Sequence, residues 1–360
     1  MILVIGAGTV GRAIAADLSA DTEVTVSDIS LSSMKGLKGV TKFHGDIFDR
    51  PDLIRKAEVI VTSLPGSISF NVVRKLLRRG RSVVDTGFMP EDPMLLDKSA
   101  ADGGALYVPD AGYAPGLSNV FAGHLFNTMK PDTIEIYVAG LAERDTSPLH
   151  HTVTFNVEGW IDEYLRPARI VRNGRQVSVD PLGEFRTVDF PGAGRFEGFY
   201  SDGLRTLLST VRVRNMLEIT LRYPGHLALM KAIRELGFLS DRKIGGCTPR
   251  SISEKLFSAI GSGSADRCLT MIRGRKAGRS VEFVSVDSYD RASGITSMAR
   301  MTGYSAAAFV RLIMDGDIIG SGVFPPEYAG FDDGTFRKVL FMLSRKGIVF
   351  KERTRKGGTS

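Results

Sequence analysis

Gly6-Ala7-Gly8-Thr9-Val10-Gly11 is a GxGxxG that directly follows the apolar run ILVIG (2–6) and opens a helical pattern over 9–19. Each glycine has its own task. Gly6 permits a tight turn, Gly8 lets backbone amides approach a pyrophosphate, and Gly11 permits close helix–strand packing. The amides of Thr9 and Val10 stand at a helix N-terminus, where free N–H groups and partial positive charge favour an anion. Asp28 closes the next strand-like run, EVTVSD (23–28), twenty residues after Gly8. A carboxylate there is placed to accept hydrogen bonds from the ribose 2′- and 3′-hydroxyls. Loop, strand, helix and acid together read as a dinucleotide site.

Asp28 also bears on the choice of dinucleotide. Its charge repels a 2′-phosphate, and Ile29, Ser30, Leu31 and Ser32 follow it without an Arg; the first cation is Lys35, seven residues on. NAD is therefore expected over NADP. Ligands lie outside the carboxyl ends of parallel strands, so the later strand ends should complete the site. Asp46-Ile47 is expected near the adenine, and Ser63-Leu64-Pro65 under the nicotinamide ribose with Asp85 nearby. Each of these reads equally well as a turn or cap. His44, His124, His150 and His151 have no metal-ligand spacing with carboxylates or thiols, so no metal is expected.

These residues need elements to hold them. Strands are expected at 2–6, 23–28, 40–46, 58–64, 82–87 and 105–110, each apolar enough to be buried on both faces. Helices are expected between them at 9–19, 51–56, 69–79 and 92–102. Such alternation implies a Rossmann-type doubly wound parallel sheet. After Pro115-Gly116 and a helix at 117–129, longer alternating stretches dominate: TIEIYVAGL, HHTVTFNVEG, ARIVRNGRQVSV, MLEITLRYP and CLTMIRGRKAGRSVEFVSVDSY. The last contains a hairpin signal around Ala277-Gly278-Arg279. Helices are expected at 200–210, 227–237, 249–260 and 295–315. The second domain is thus α/β with a mostly antiparallel or mixed sheet. The expected division is 1–116 for the dinucleotide, 117–294 for substrate binding and dimerisation, and 295–360 returning to the first domain.

A chain of 360 residues, 43% hydrophobic and 24% charged, has an ordinary globular composition. No apolar run approaches the roughly 18 residues that would span a bilayer, so no membrane is expected. Met1–Leu18 lacks a basic n-region and contains Arg12, a poor signal peptide. The two cysteines, Cys247 and Cys268, cannot build a disulfide framework or a four-thiolate zinc site. A cytoplasmic location is the expectation. Of the net +7, residues 345–356 carry six cations against Glu352 alone. That run reads as a solvated C-terminal end, without a nucleic-acid motif beside it.

The motifs DAGYAPGLSN (110–119), FYSDGLRTLL (199–208), LRYPGH (221–226) and SMARMTGYSAAAFVRLIMDGDIIGSGVFPPE (297–327) resemble the saccharopine dehydrogenase/reductase family, most of all its L-lysine 6-dehydrogenase branch. The resemblance runs over nearly the whole chain. It implies NAD-dependent oxidation of the ε-carbon of L-lysine, with release of ammonia and a 6-semialdehyde that cyclises to Δ1-piperideine-6-carboxylate. It also implies a homodimer or dimer of dimers. Saccharopine or carboxynorspermidine oxidoreduction is the family alternative. A non-catalytic NAD-sensing regulator is the alternative from outside it, since the first 30 residues also resemble nucleotide-binding domains of potassium-transport regulators.

Beside the resemblance, the residues have a physical reading. Arg222 offers a planar fork matched to a carboxylate, which amino acids carry; otherwise it is a structural ion pair. In the family the Arg matching this position contacts that carboxylate. His226, after a Pro-Gly turn, is an acid/base or a helix cap. Asp110 is a partner for the substrate ammonium, a proton-transfer group or a strand-end cap. Tyr113 lies where the chain turns sharply before a helix at Leu117, beside the expected nicotinamide.

Overall fold

The structure, a computed structural model, describes residues 1–145, 148–153, 156–259 and 265–356. The chain begins with β1 (Ile2–Ile5), α1 (Thr9–Leu18), β2 (Val24–Asp28), β3 (Thr41–His44), α2 (Pro51–Lys56), β4 (Val59–Thr62), α3 (Gly66–Leu77), β5 (Ser82–Asp85), α4 (Asp97–Asp102), β6 (Leu106–Val108) and α5 (Leu117–Met129). It continues through β7 (Thr133–Ala142), α6 (Val157–Leu165), β8 (Ala168–Arg172), β9 (Arg175–Val179), β10 (Arg186–Phe190), β11 (Gly194–Tyr200), α7 (Leu207–Thr210), β12 (Asn215–Arg222), α8 (His226–Glu235), α9 (Pro249–Ser258), β13 (Asp266–Lys276) and β14 (Arg279–Ser288). It closes with α10 (Ser297–Met314), β15 (Gly322–Val323), α11 (Glu327–Phe331), α12 (Asp333–Ser344) and β16 (Lys351–Lys356). None of the described helices is long and apolar enough to cross a membrane.

Two compact units result. The first comprises Met1–Thr128, Arg205–Thr210 and Ala299–Val349; the second comprises Met129–Leu204, Val211–Met298 and Phe350–Ser360. The first unit is built on a parallel sheet in the order β15-β6-β5-β4-β1-β2-β3. Chain direction across the sheet reverses at β1, and a ligand crevice forms at such a switch point. β1 and β4 are wholly buried because helices cover both faces of the sheet, as parallel strands require. β3 departs from that expectation: it is the sheet's edge and stays largely exposed, with the pattern Thr41-Lys42-Phe43-His44.

The second unit has a mixed sheet with the main order β10-β11-β12-β7-β13-β14-β16, and β8 and β9 attached beside β12. β7 and β12 run parallel; the other pairs are antiparallel. Ala277 (φ 44) and Gly278 (φ 75) turn β13 into β14. This is the left-handed pair that a two-residue hairpin turn demands.

Three expectations fail for physical reasons, and one element goes beyond them. The described residues of HHTVTFNVEG form no strand: Asn156 caps a helix by accepting from Gly159 N at 2.9 Å, and Trp160, Ile161 and Tyr164 bury the face of that helix. Residues 154–155 of that stretch, and 260 of the expected helix 249–260, lie outside the described residues. A helix across 200–210 is interrupted, since β11 runs to Tyr200 and α7 starts only at Leu207. The hairpin β10–β11 was not anticipated; Gly192 and Gly194 make its turn with positive φ. Finally, the basic tail is not merely solvated. Lys351–Lys356 pairs with β14 as an edge strand, and Lys351, Arg353 and Arg355 lie along an edge of the kind that charge protects from further pairing.

Candidate functional site

The candidate dinucleotide site lies in the first unit, at the carboxyl ends of β1, β2 and β4. A Cβ at Gly6 (φ +100) would stand 2.2 Å from the Ser63 carbonyl oxygen, and one at Gly11 would stand 1.9 Å from the Gly6 oxygen. Neither distance is sterically possible, so both positions demand glycine. At Gly8 a Cβ would meet nothing within 4 Å: the space before it is open. Gly8 is also the N-cap of α1 and supplies no side-chain acceptor to the first-turn amides. Open space, uncapped N–H groups and a helix N-terminus together fit a pyrophosphate.

Asp28 ends β2 and remains half-buried. One carboxylate oxygen accepts from Ala7 N at 2.6 Å and the other from Ser30 N at 2.7 Å. These bonds tie the acid to the glycine loop and leave lone pairs for hydroxyl donors. Arg12, on α1, donates to the carbonyls of Ser33 and Lys35 at 2.7 and 2.9 Å, which brings a guanidinium against the loop after β2. Sequence reasoning missed that neighbour because it looked only downstream of Asp28.

The remaining strand ends divide. Ile29 is 79% exposed, whereas Ile47 is buried in the core. Asp46 caps a short turn by accepting from Phe48 N at 3.0 Å. Ser63 donates its amide to Ile5 O at 2.8 Å, Leu64 packs at Gly6, and Pro65 is the N-cap of α3. Asp85 is inaccessible. Its wholly buried carboxylate takes Thr62 Oγ1 at 2.7 Å, Ser69 Oγ at 3.0 Å and Gly87 N at 3.0 Å. Burial pushes that carboxyl up to about 6, against the pull of these donors.

Beyond β6, Asp110 (φ 49) is already partnered: its carboxylate accepts from Arg205 Nε at 2.9 Å, both side chains nearly inaccessible. Arg205 also lies over the Phe88 ring at 5.0 Å and donates to Glu91 O at 3.2 Å. Asp110 is thus occupied by a protein cation where a substrate ammonium was considered. Tyr113 is buried, and its carbonyl receives Ser118 N at 3.2 Å as α5 begins. Glu327 was missed. Its buried carboxylate accepts from Thr206 Oγ1 at 2.8 Å and Thr210 Oγ1 at 2.5 Å, tying the Arg205–Thr210 segment to α11; burial pushes it up to about 7.

In the second unit, Glu218, Thr220 and Arg222 occupy alternate positions of β12 and therefore share one face of the sheet. All three are buried. Arg222 donates Nε to Tyr164 Oη at 2.9 Å, Nη1 to Leu221 O at 3.0 Å and Nη2 to Glu163. His226 takes the other side of the same tyrosine. Its Nε2 is 2.8 Å from Tyr164 Oη, and its Nδ1 is 2.6 Å from Leu149 O. A carbonyl can only accept, so Nδ1 carries the proton and Nε2 accepts from the tyrosine. Burial, then the Arg222 charge, pushes the imidazole down to about 3. His226 is fully buried and both ring nitrogens are used. It is the first residue of α8, whose cap is Gly225 (φ 93). An exchangeable acid/base role does not fit this setting; a fixed neutral ring does. Glu218 accepts from Ser201 Oγ at 2.8 Å, and Ser201 in turn accepts from Thr220 Oγ1 at 2.8 Å. Glu163, Tyr164, Arg205 and Glu218 went unpredicted. Only Glu218 was legible, as the residue four before Arg222 on an alternating strand.

Parallel sheet, glycine cradle and strand-end aspartate define a dinucleotide-binding protein of the doubly wound class. Comparison with known proteins then narrows it. Residues 2–108 match the family described as the saccharopine dehydrogenase NADP binding domain, and residues 112–348 match the saccharopine dehydrogenase C-terminal domain. The chain belongs to the saccharopine dehydrogenase family.

Its relatives include the saccharopine dehydrogenase [NADP(+), L-glutamate-forming] of Pyricularia oryzae, 24% identical over 67% of this chain and 58% of that protein. They also include the mitochondrial alpha-aminoadipic semialdehyde synthase of Mus musculus, 21% identical over 97% of this chain and 47% of that protein. The chain thus spans about half the length of these relatives. Apo saccharopine dehydrogenase (L-Glu forming) from Saccharomyces cerevisiae shares the fold, with a TM-score of 0.79, 18% identity, and coverage of 98% of this chain and 99% of that one.

Proposed function

We propose that this chain is an NAD-dependent amino-acid dehydrogenase that oxidises the ε-carbon of L-lysine to the 6-semialdehyde and releases ammonia. The observation that carries a dehydrogenase is the uncapped glycine cradle joined to Asp28 through Ala7 N. Gly6, Gly8, Thr9, Val10 and Gly11 would hold the pyrophosphate and Asp28 the ribose. When bound, the nicotinamide supplies a hydride acceptor. The overall reaction consumes water and yields aldehyde, ammonium, reduced dinucleotide and one proton. The ε-ammonium, with a reference pKa of about 10.4, must first lose a proton, which a poorly solvated setting favours.

Arg222 is the residue on which we place the substrate carboxylate. Three of its N–H groups are taken, so two of the five that a guanidinium carries remain for a bidentate contact. Tyr164, held between Arg222 and His226, fixes the guanidinium plane. Asp110, Tyr113 and Asp85 are assigned to holding the loops after β5 and β6. The active form in this reading is a homodimer or dimer of dimers through the second unit, whose sheet leaves β10 and β16 as edges.

A second reading, NADP-dependent saccharopine oxidoreduction, is favoured by Arg12 against the loop after β2 and by the relatives named for that reaction. A scan of L-lysine, saccharopine and carboxynorspermidine with NAD and with NADP, following reduced cofactor by absorbance, separates the readings. Turnover of saccharopine with NADP and none of lysine with NAD refutes the first.

A further inference from the structure

Arg222 and Glu163 form an unusual pair. The guanidinium side chain is 2% exposed, whereas that of Glu163 keeps 20% of its surface. Burial pushes the Glu163 carboxyl up, and Arg222 pulls it back. Glu163 is thus packed against protein on most sides and still keeps a part that solvent reaches. One oxygen, Oε2, receives Arg222; among the described residues no donor reaches Oε1.

The packing around the pair is aromatic and fully buried. Tyr164 and Phe199 stack with centroids 5.2 Å apart, and Arg222 lies 5.5 Å from the Phe199 ring. His226 contributes no charge near neutral pH, because its imidazole is held down to about 3. Glu218 contributes none below about 8. One cation and one anion therefore remain side by side. A buried ion pair is weak support for stability, because desolvating the two charges offsets their attraction. Recognition gives such a pair a use: an α-amino acid carries an ammonium and a carboxylate on one carbon, the complement of this arrangement.

We propose that Glu163 binds the α-ammonium of the substrate through its free Oε1 while Arg222 addresses the α-carboxylate, making Glu163 the residue that selects α-amino acids over amines that merely carry a carboxylate. This rests on the amino-acid dehydrogenase reading above.

The test compares wild type, Glu163→Gln and Glu163→Asp by kcat/KM on two substrate pairs. One is L-lysine against 6-aminohexanoate, which lacks only the α-amino group. The other is saccharopine against its analogue without the lysyl α-amino group. Wild type should prefer the α-amino member. Glu163→Gln should shrink that preference about tenfold to a hundredfold, the worth of one hydrogen bond to a charged group. Glu163→Asp keeps the charge and should fall between. Melting temperatures are recorded for each variant; if Glu163→Gln does not fold, Glu163→Asp carries the test, with a reduced preference expected. A preference unchanged in a folded variant, with both members losing activity by one factor, overturns the assignment and leaves a structural ion pair. Wild-type activity on no member of either pair overturns the dehydrogenase reading, and this inference falls with it.

Discussion

Glu218→Gln should flatten the alkaline limb of the second unit's stability. Glu218 is 3% exposed, and burial pushes its carboxyl up to about 8 from an ordinary 4.5. Ser201 opposes the shift by donating to Oε1, while Glu163 and Asp202 reinforce it as neighbouring negative charges. The sign follows from proton counting. Between 4.5 and 8 the folded chain holds a proton here that the unfolded chain has released. Stability is therefore fully present below the lower value and is lost as pH rises through the upper one, at about 1.4 kcal/mol per unit of pH. Across that window the ceiling is on the order of 5 kcal/mol.

Gln mimics the neutral form and does not titrate. It leaves amide protons unpaired where Glu218 Oε2 has no partner, a cost of about 1–3 kcal/mol at every pH. Wild type should thus be the more stable form near pH 5, and its advantage should vanish or reverse above pH 8. Trp160 is the sole tryptophan, is buried and lies in the same unit as Glu218. Its fluorescence in urea titrations from pH 5 to pH 9 therefore reports the relevant transition. Parallel curves for the two proteins across that range would show Glu218 ionised in the fold at neutral pH, and the burial reasoning would be wrong.

Other outcomes are expected. Asp28→Ser should weaken NAD and relax discrimination against NADP; comparable wild-type kcat/KM for both cofactors contradicts the assignment of the ribose to Asp28. Arg222→Lys should not rescue Arg222→Ala on L-lysine, because an ammonium lacks the bidentate fork, and losing a buried charged contact costs about 2–5 kcal/mol. Cadaverine, which has no carboxylate, should be a poor substrate already and lose little more; an equal loss on both amines identifies a purely structural arginine. His226 shifts the other way from Glu218. Its ring is neutral in the fold down to about 3 but protonates near 6.5 when unfolded, so it contributes stability above 6.5 that is lost as pH falls toward 3. Urea titrations of His226→Gln should show a shallower acid limb than wild type, and equal acid slopes refute it.

The first unit was legible because local signals and burial agree there. β1, β2, β4 and β5 are short, almost wholly buried and bounded by turn residues, so their limits were readable to within a residue or two. The second unit misled where tertiary contacts decide. The alternation in HHTVTFNV suits a strand, yet Trp160 and Tyr164 one turn apart bury against Phe199 and Phe257, and a helix follows. Lys351–Lys356 looked like a solvated run because a charged edge strand and a solvated tail have the same composition. The Glu163–Arg222 pair joins residues 59 apart and left no local trace.

Three aspartates make the same point within one sheet. Asp28, Asp85 and Asp110 each end or follow a parallel strand and are indistinguishable by position in the sequence. What separates them is the set of protein donors that the fold aims at each. Asp85 meets three hydroxyls, from Thr62, Ser69 and Tyr107, and an amide in full burial, so nothing is left to offer a ligand. Asp110 meets a buried guanidinium 95 residues away, which neutralises it. Among the described residues Asp28 meets only two backbone amides and stays half-buried, so its charge is unneutralised and its lone pairs are available. A carboxylate is free to bind a ligand in proportion to what the protein leaves unsatisfied. The same criterion separates the oxygens of Glu163: Oε2 is taken by Arg222, Oε1 by nothing among the described residues. It is the open oxygen, reached through the exposed fifth of the side chain, that can meet an incoming ammonium.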